Sequence, residues 1–255
     1  MRVRVLGAHN QETLTTRLTC LLVDERLALD AGGLTSTLSL GQQEKIDALL
    51  LTHRHYDHVR DLPMLALNTL LSGKTLQVFG LSDTLDRLRS HYPDFTARPE
   101  PSKPRVRLNP VEPGLEFSWA DYRILPLAVP HGPPAVGYRV TSSGGSSFFY
   151  SGDTGPGLAE ALHKARASLL LLEVTFPNSM ERAARSAGHL TPALLEAELQ
   201  ALASSGGSLP RKVLAVHMTP GFQAEIEGEL STISERLGLP VLPASEGMTL
   251  QVPRP

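Results

Sequence analysis

The chain has few of the features that mark specialised protein classes. It carries one cysteine in 255 residues, which excludes a disulfide framework and any Cys-rich zinc module. That residue, Cys20, falls in a strand-like run and is expected to be buried and inert. Aromatic residues make up 5% of the sequence, with a single Trp, too few to build a stacking ladder for single-stranded nucleic acid. Neither sign of charge prevails. The 24 Lys+Arg and 26 Asp+Glu leave a net charge of -2, which disfavours a main task of gripping a polyanion. No stretch reaches the roughly 18 uninterrupted apolar residues of a membrane span. The opening residues turn polar after Gly7, so they read as a first strand rather than a signal peptide. The expected location is the cytoplasm, with no membrane partner. With 41% hydrophobic and 20% charged residues, a chain of this length can bury a large core without staples.

Short apolar runs bounded by turn residues predict strands at Val3–Gly7, Leu18–Asp24, Leu27–Asp30 and Ala48–Thr52. A helical pattern runs from about Asp57 to Leu71 and stops near Ser72-Gly73. Thr75–Gly80 reads as a strand, and Ser82–His91 as a helix capped by Ser82. The proline-rich stretch Arg98–Gly114 reads as a surface connection with a short strand at Val106–Leu108. Three strands follow at Tyr122–Val129, Val136–Thr141 and Ser147–Ser151, the last two joined through a turn at Ser143-Gly144-Gly145. Beyond them come a helix at Leu158–Arg166, a buried strand at Leu169–Val174, and a helix at Thr191–Ala203. Thr191 is placed to cap that helix, with Pro192 in its first turn. A strand at Lys212–Val216, a helix at Phe222–Leu237 and a strand at Met248–Val252 complete the chain. Two β-rich halves with helices outside predict two stacked sheets between helical layers, in one domain spanning residues 1–255.

The chemistry concentrates in Thr52-His53-Arg54-His55-Tyr56-Asp57-His58, directly after an apolar strand. In extended backbone His53 and His55 point to the same side. If the chain then turns into a helix, Asp57 and His58 sit in its first turn and aim at a neighbouring point. This arrangement suits two metal ions side by side, one held by His53 and His55 and the other by Asp57 and His58. Imidazole and carboxylate are good ligands for Zn²⁺ and related ions.

The pattern His-x-His-x-Asp-His resembles that of the metallo-β-lactamase superfamily, and the resemblance extends over nearly the whole chain. Asp30, before Ala31-Gly32-Gly33, resembles the family's early Asp that orients the metal loop. His131, in Val129-Pro130-His131-Gly132, resembles the third histidine of the first metal site. Asp153, in Ser151-Gly152-Asp153-Thr154-Gly155, resembles the carboxylate bridging both ions, and His217 the last ligand of the second. Taken singly, His131 would pass as a surface histidine, Asp153 as a turn residue and His217 as a core histidine. The resemblance implies an α+β fold, the αββα four-layer sandwich, with two divalent metal ions. Zn is expected first, and Mn, Fe, Co or Ni would also fit such ligands. Paired metals about 3.5–4 Å apart can hold a hydroxide nucleophile and clamp a substrate oxygen. Asp57 can bind metal and also orient that nucleophile.

Gly188-His189-Leu190-Thr191-Pro192 looks like the extra histidine motif of the family's phosphodiesterase branch, which includes ribonuclease Z and class-II cyclic-nucleotide phosphodiesterases. There the histidine protonates the leaving oxygen or steadies the phosphate charge. Pro133-Pro134-Ala135-Val136-Gly137-Tyr138 is similar to a stretch following the ligand histidine in the same branch. The chain departs from the cyclic-nucleotide signature at Tyr56 and Asp61, where that signature has Leu and a small residue. It also lacks the long basic, Gly-rich arm of the tRNA endonucleases. Lys103-Pro104-Arg105-Val106-Arg107 is basic but short and reads as a solvated face. Glu173–Asn178 reads as a strand-to-loop turn at the rim of the site. The expected activity is a dinuclear metal-dependent phosphodiesterase on a small phosphodiester such as a 3′,5′-cyclic nucleotide, with nucleic acid disfavoured as partner and homodimerisation left open. The alternatives are a ribonuclease Z-like endoribonuclease, a lactone or thioester hydrolase on the same metals, and a non-catalytic metal-binding subunit.

Overall fold

A computed structural model describes residues 1–69, 72–93 and 105–254. In these residues the chain order is β1 (Arg2–Gly7), β2 (Cys20–Val23), β3 (Leu27–Leu29), α1 (Leu40–Gln43), β4 (Ala48–Leu50), α2 (Tyr56–Val59), α3 (Leu62–Asn68), β5 (Leu76–Gly80), α4 (Ser82–His91) and β6 (Val106–Pro110). Then follow β7 (Phe117–Trp119), β8 (Tyr122–Val129), β9 (Ala135–Ser142), β10 (Ser147–Tyr150), α5 (Ala159–Ala165) and β11 (Leu169–Glu173). The remainder is α6 (Glu181–Ala187), α7 (Pro192–Ser204), β12 (Lys212–Val216), α8 (Gln223–Leu237), β13 (Val241–Pro243) and β14 (Thr249–Gln251).

The strands form two seven-stranded mixed sheets, ordered β14-β1-β2-β3-β4-β5-β6 and β13-β12-β11-β10-β9-β8-β7. The apolar strands are buried on both faces because each sheet is covered twice. Within β4 and β11, alternate residues serve different layers. Ala48, Leu50, Leu169 and Leu171 enter the core shared by the two sheets. Leu49 packs with α3 and α4 residues such as Leu65 and Leu85, and Leu170 and Leu172 pack with α5, α7 and α8 residues such as Leu162, Leu195 and Leu230. Three apolar layers separated by two sheets make the four-layer α+β sandwich that the sequence predicts.

Two hydroxyls tie the inner layer to the loops above it. Tyr138 Oη donates to the Leu51 carbonyl at 2.9 Å, and Tyr150 Oη donates to Asp30 Oδ2 at 2.8 Å. The last strand pairs antiparallel with the first, Val3 opposite Leu250.

Three predicted features differ. The single helix expected over Asp57–Leu71 is two short ones. The Asp61 N–H donates to the Ala31 carbonyl at 2.8 Å, not to the helix's own Asp57. Pro63, which has no N–H, opens α3 instead of continuing α2. Residues 70 and 71, where the predicted helix ends, lie outside the described residues. Ser82 is the first residue of α4, not its cap; Leu81 takes that place in extended backbone. Of the proline-rich stretch, residues 98–104 lie outside the described residues, and the remainder forms β6 and leads to β7, a strand missed in the sequence with α6 and β13.

Leu171 is fully buried at the middle of the inter-sheet layer. Leu171→Ala should lower the unfolding free energy by about 2–5 kcal/mol, seen as a lower denaturant midpoint. A loss under about 1 kcal/mol would mean that this layer is not close-packed at its centre.

Candidate metal centre

The site lies where several strands end on one edge of the sandwich. After β4 the backbone stays extended through Thr52, whose carbonyl accepts from the Val136 N–H at 3.0 Å. His53 is buried there, and His55 occupies the cap position of α2 with φ -62° and ψ 147°. Asp57 and His58 therefore fall in a single helical turn, as the spacing predicts. His131 follows β8, Asp153 follows β10, His217 follows β12, and His189 sits between α6 and α7. Gly152 precedes Asp153 with φ +59°, and a Cβ there would come within 2.6 Å of the Thr52 side chain. Only glycine lets the two loops approach so closely. Asp30 and His217 also have positive φ, 56° and 63°, an uncommon backbone state for residues with side chains.

The structure brings together all seven side chains expected to bind metal, in two groups that share one member. His53, His55, His131 and Asp153 form one, and Asp57, His58, Asp153 and His217 the other; within each group the candidate ligand atoms lie within 4.8 Å of one another. Asp153 stands between them with one oxygen towards each. Its Oδ2 is 3.7 Å from His53 Nε2 and 3.9 Å from His131 Nε2. Its Oδ1 is 3.1 Å from His58 Nε2 and 3.3 Å from His217 Nε2. Asp57 Oδ2 is 3.2 Å from His217 Nε2, and His55 Nδ1 faces His131 Nε2 at 3.3 Å.

The outward nitrogens of the rings are engaged behind the site. His58 Nδ1 is 2.7 Å from Asp30 Oδ2, and His53 Nδ1 is 3.0 Å from Thr52 Oγ1, which donates to the same Asp30. His131 Nδ1 is 3.0 Å from the Gly188 carbonyl. His217 Nδ1 is 2.9 Å from Thr175 Oγ1, and that hydroxyl donates to Glu173 Oε2. Asp30 thus lies behind two of these rings, against His58 directly and against His53 through Thr52. Its counterpart on the second sheet, Glu173, was read from sequence as a turn residue at the rim. The structure corrects this: the Glu173 side chain is wholly buried. It accepts from the N–H groups of Thr154, Thr175 and Leu190, and lies 2.8 Å from His189 Nδ1. The signal in the sequence was a carboxylate ending a strand of four leucines. Its partners, up to 19 residues away in the chain, were not legible.

The residues fit a pair of cations. His53 Nε2, His58 Nε2 and Asp153 Oδ1 are buried and make no well-aligned hydrogen bond, His58 and Asp153 only facing each other at 3.1 Å, although buried polar atoms are satisfied in the great majority of cases. All three turn towards the shared space, where an ion would satisfy them. The protonation states also favour binding. Burial, reinforced by neighbouring imidazoles, pushes His53 and His55 below the usual histidine range, so both are neutral ligands at pH 7. Burial raises Asp57 and Asp153, yet the surrounding imidazoles more than reverse it and hold both carboxyls well below the usual range. Burial lowers His58, but Asp153, Asp30 and Asp57 carry it well above the usual range, so a cation on that ring would displace a proton. His189 is opposed by burial in the same way, and the Glu173 carboxylate pushes it up to about 9.

Residues 29–218 match the family described as the Beta-lactamase superfamily domain. An octanoyltransferase of Porphyromonas gingivalis is 32% identical over 136 residues, covering 52% of this chain and 27% of that protein. A ribonuclease Z of Methanopyrus kandleri is 31% identical over 119 residues, covering 45% of this chain and 39% of that protein. The matched regions therefore span less than half the length of either relative. Among solved structures, unliganded yeast PDE1 superposes with a TM-score of 0.78 at 20% identity over 98% of both chains, a likeness of fold.

Asp30→Asn would place amide N–H donors where the native carboxylate accepts from Tyr150, from the Thr52 N–H and hydroxyl, and faces His58. The expected cost is about 3–5 kcal/mol of stability, measured by chemical unfolding of the metal-free protein. A variant as stable as its parent would show that Asp30 does not hold these rings.

Proposed function

Because the chain belongs to the beta-lactamase superfamily, we propose that it is a dinuclear metal-dependent phosphodiesterase acting on small phosphodiesters. His53, His55 and His131 would hold one ion, Asp57, His58 and His217 the other, and Asp153 both. When bound, such a pair supplies Lewis acidity at a substrate oxygen and a water of lowered pKa. Residues of the chain perform the remaining tasks. Asp57, half-exposed on α2, is placed to orient the attacking water. Asp30 and Glu173 keep the rings in one tautomer and one orientation.

The observation that carries the phosphodiesterase reading is the His189–Glu173 pair. The His189 ring lies 5.3 Å from His131 and 5.5 Å from His217, centroid to centroid, at the mouth of the metal centre. Its Nδ1 is held by a buried carboxylate, which keeps the imidazole cationic at neutral pH and leaves Nε2–H as a donor. A positioned cation of this kind serves a departing alkoxide, which needs a proton, and a phosphate, which brings negative charge. The Thr191 cap accounts for the start of α7, with Thr191 Oγ1 accepting from the Leu194 N–H at 3.3 Å, but it gives His189 no task. The similarity to a ribonuclease Z supports the same reaction class. A thioester hydrolase would share the metals and leave the histidine idle, because a thiolate departs without a proton, and a lactone brings no phosphate charge for the cation to hold.

Two measurements test this reading. Elemental analysis after incubation with Zn²⁺ or Mn²⁺ should give two ions per chain, with a rise in melting temperature on loading. Asp153→Ala should bind at most one ion and lose most of that rise. Two ions in the variant would remove Asp153 from the shared position. His189→Ala should cut turnover of 3′,5′-cyclic AMP, whose leaving group is an alkoxide, by about 10²–10⁴-fold. Bis(p-nitrophenyl) phosphate, whose leaving group departs without a proton, should be affected far less. Equal losses on both substrates would overturn the acid role, and no turnover of any phosphodiester by the metal-loaded parent would overturn the phosphodiesterase itself.

A further inference from the structure

A groove of about 380 Å³ opens directly from the metal centre, with His55 in its wall. Its volume falls within the range of about 300–1,000 Å³ usual for small-molecule sites. One side is the loop after β4 with Arg54 and Tyr56, and the other is α4 with Arg87 and His91. The floor is formed by the buried side chains of Val59, Thr84 and Leu88.

Three features give this groove a chemistry. The Tyr56 side chain is an exposed aromatic ring, with 65% of the residue in solvent, at the position where the cyclic-nucleotide signature has Leu. The two arginines differ in their surroundings. Arg54 is neutralised by Asp83, with Nη1 2.8 Å from Oδ1. Arg89, on the other side of α4, is paired with Asp86. Among the described residues Arg87 has no acidic partner, so the groove keeps one unbalanced cation. An apolar floor, an aromatic face and a guanidinium form the complement of a nucleoside with a phosphate.

Building on the phosphodiesterase reading above, we propose that this groove binds the part of the substrate beyond the scissile phosphate: a nucleoside laid against Tyr56, with a second phosphate on Arg87. The substrate class is then a short nucleotide phosphodiester bearing a further terminal phosphate. A cyclic mononucleotide has one phosphate, which the metal centre takes, and it leaves Arg87 with nothing to bind. The departure at Tyr56 from the cyclic-nucleotide signature has the same explanation: a ring that stacks on a base replaces an aliphatic side chain.

The test compares kcat/KM of the metal-loaded enzyme for diadenylate with kcat/KM for diadenylate carrying a terminal phosphate at its 5′ or its 3′ end. The better of the two phosphorylated forms should be preferred about tenfold or more, as expected for one charge-assisted contact, through a lower KM. Arg87→Ala should reduce this ratio to about one, and Arg87→Lys should retain much of it. Because the readout is a ratio within one variant, a partly folded preparation does not distort it. A parent enzyme that treats the forms alike would overturn the proposal, as would a preference that survives Arg87→Ala. Turnover of bis(p-nitrophenyl) phosphate without turnover of any dinucleotide would overturn it while leaving the phosphodiesterase reading intact. If bis(p-nitrophenyl) phosphate also stays uncleaved, that reading fails and this one with it.

Discussion

An imidazole presents one nitrogen forward only if something holds the other behind, and this constraint shapes the whole edge of the sandwich. Asp30, Thr52, the Gly188 carbonyl and Thr175 lie against the rear nitrogens of His58, His53, His131 and His217. Four Nε2 atoms consequently converge on Asp153. The rear anchors come from both sheets, Asp30 from the end of β3 and Glu173 from the end of β11. Each half of the centre draws ligand groups from both sheets, so the relative placement of the sheets fixes the distances within each half. The inner layer of leucines, valines and tyrosines does more than stabilise the fold; it sets the spacing of the ligand groups.

The electrostatics follow from the same geometry. Five imidazoles, four of them buried or half-buried, cannot all be charged within a few ångströms. The strain is met unevenly: His53 and His55 are shifted towards the neutral form, and His58, beside three carboxylates, towards the charged one. Asp57 and Asp153 remain ionised even though burial opposes their charge. Three polar atoms still lack a well-aligned partner. The arrangement is favourable around cations and poorly compensated without them, which is the usual balance in a site selected for binding rather than for stability.

How much of this was legible in the sequence depended on how local each cause was. The cluster from His53 to His58 could be read because its residues are neighbours and their directions follow from an extended segment entering a helix. Asp30, His131, Asp153, His189 and His217 could be placed only through resemblance, since nothing local brings positions 30 and 217 together. Glu173 escaped because its carboxylate is satisfied by Thr154, His189 and Leu190, contacts that exist only after folding. The break between α2 and α3 escaped for a similar reason, as it depends on the Asp61 N–H finding Ala31 across the loop. The edge strands β7 and β13, three residues each, were too short to give a periodic signal. The sandwich itself was readable because runs such as Leu169–Leu172 and Ala48–Leu51 can only be strands covered on both faces.

The pairing of β1 with β14 has a consequence for how the polypeptide is made. The flank of β1 opposite β2 stays without its partner until residues 249–251 have left the ribosome. Until then the nascent first sheet exposes an open row of amides and carbonyls, a surface on which chaperones or other strands can dock. Closure of that row is the topologically most distant event in the molecule, and contacts of such long sequence separation form slowly. Emergence of residues 249–251, rather than synthesis of the metal-binding loops, is thus the moment at which the pairing beside β1 can form.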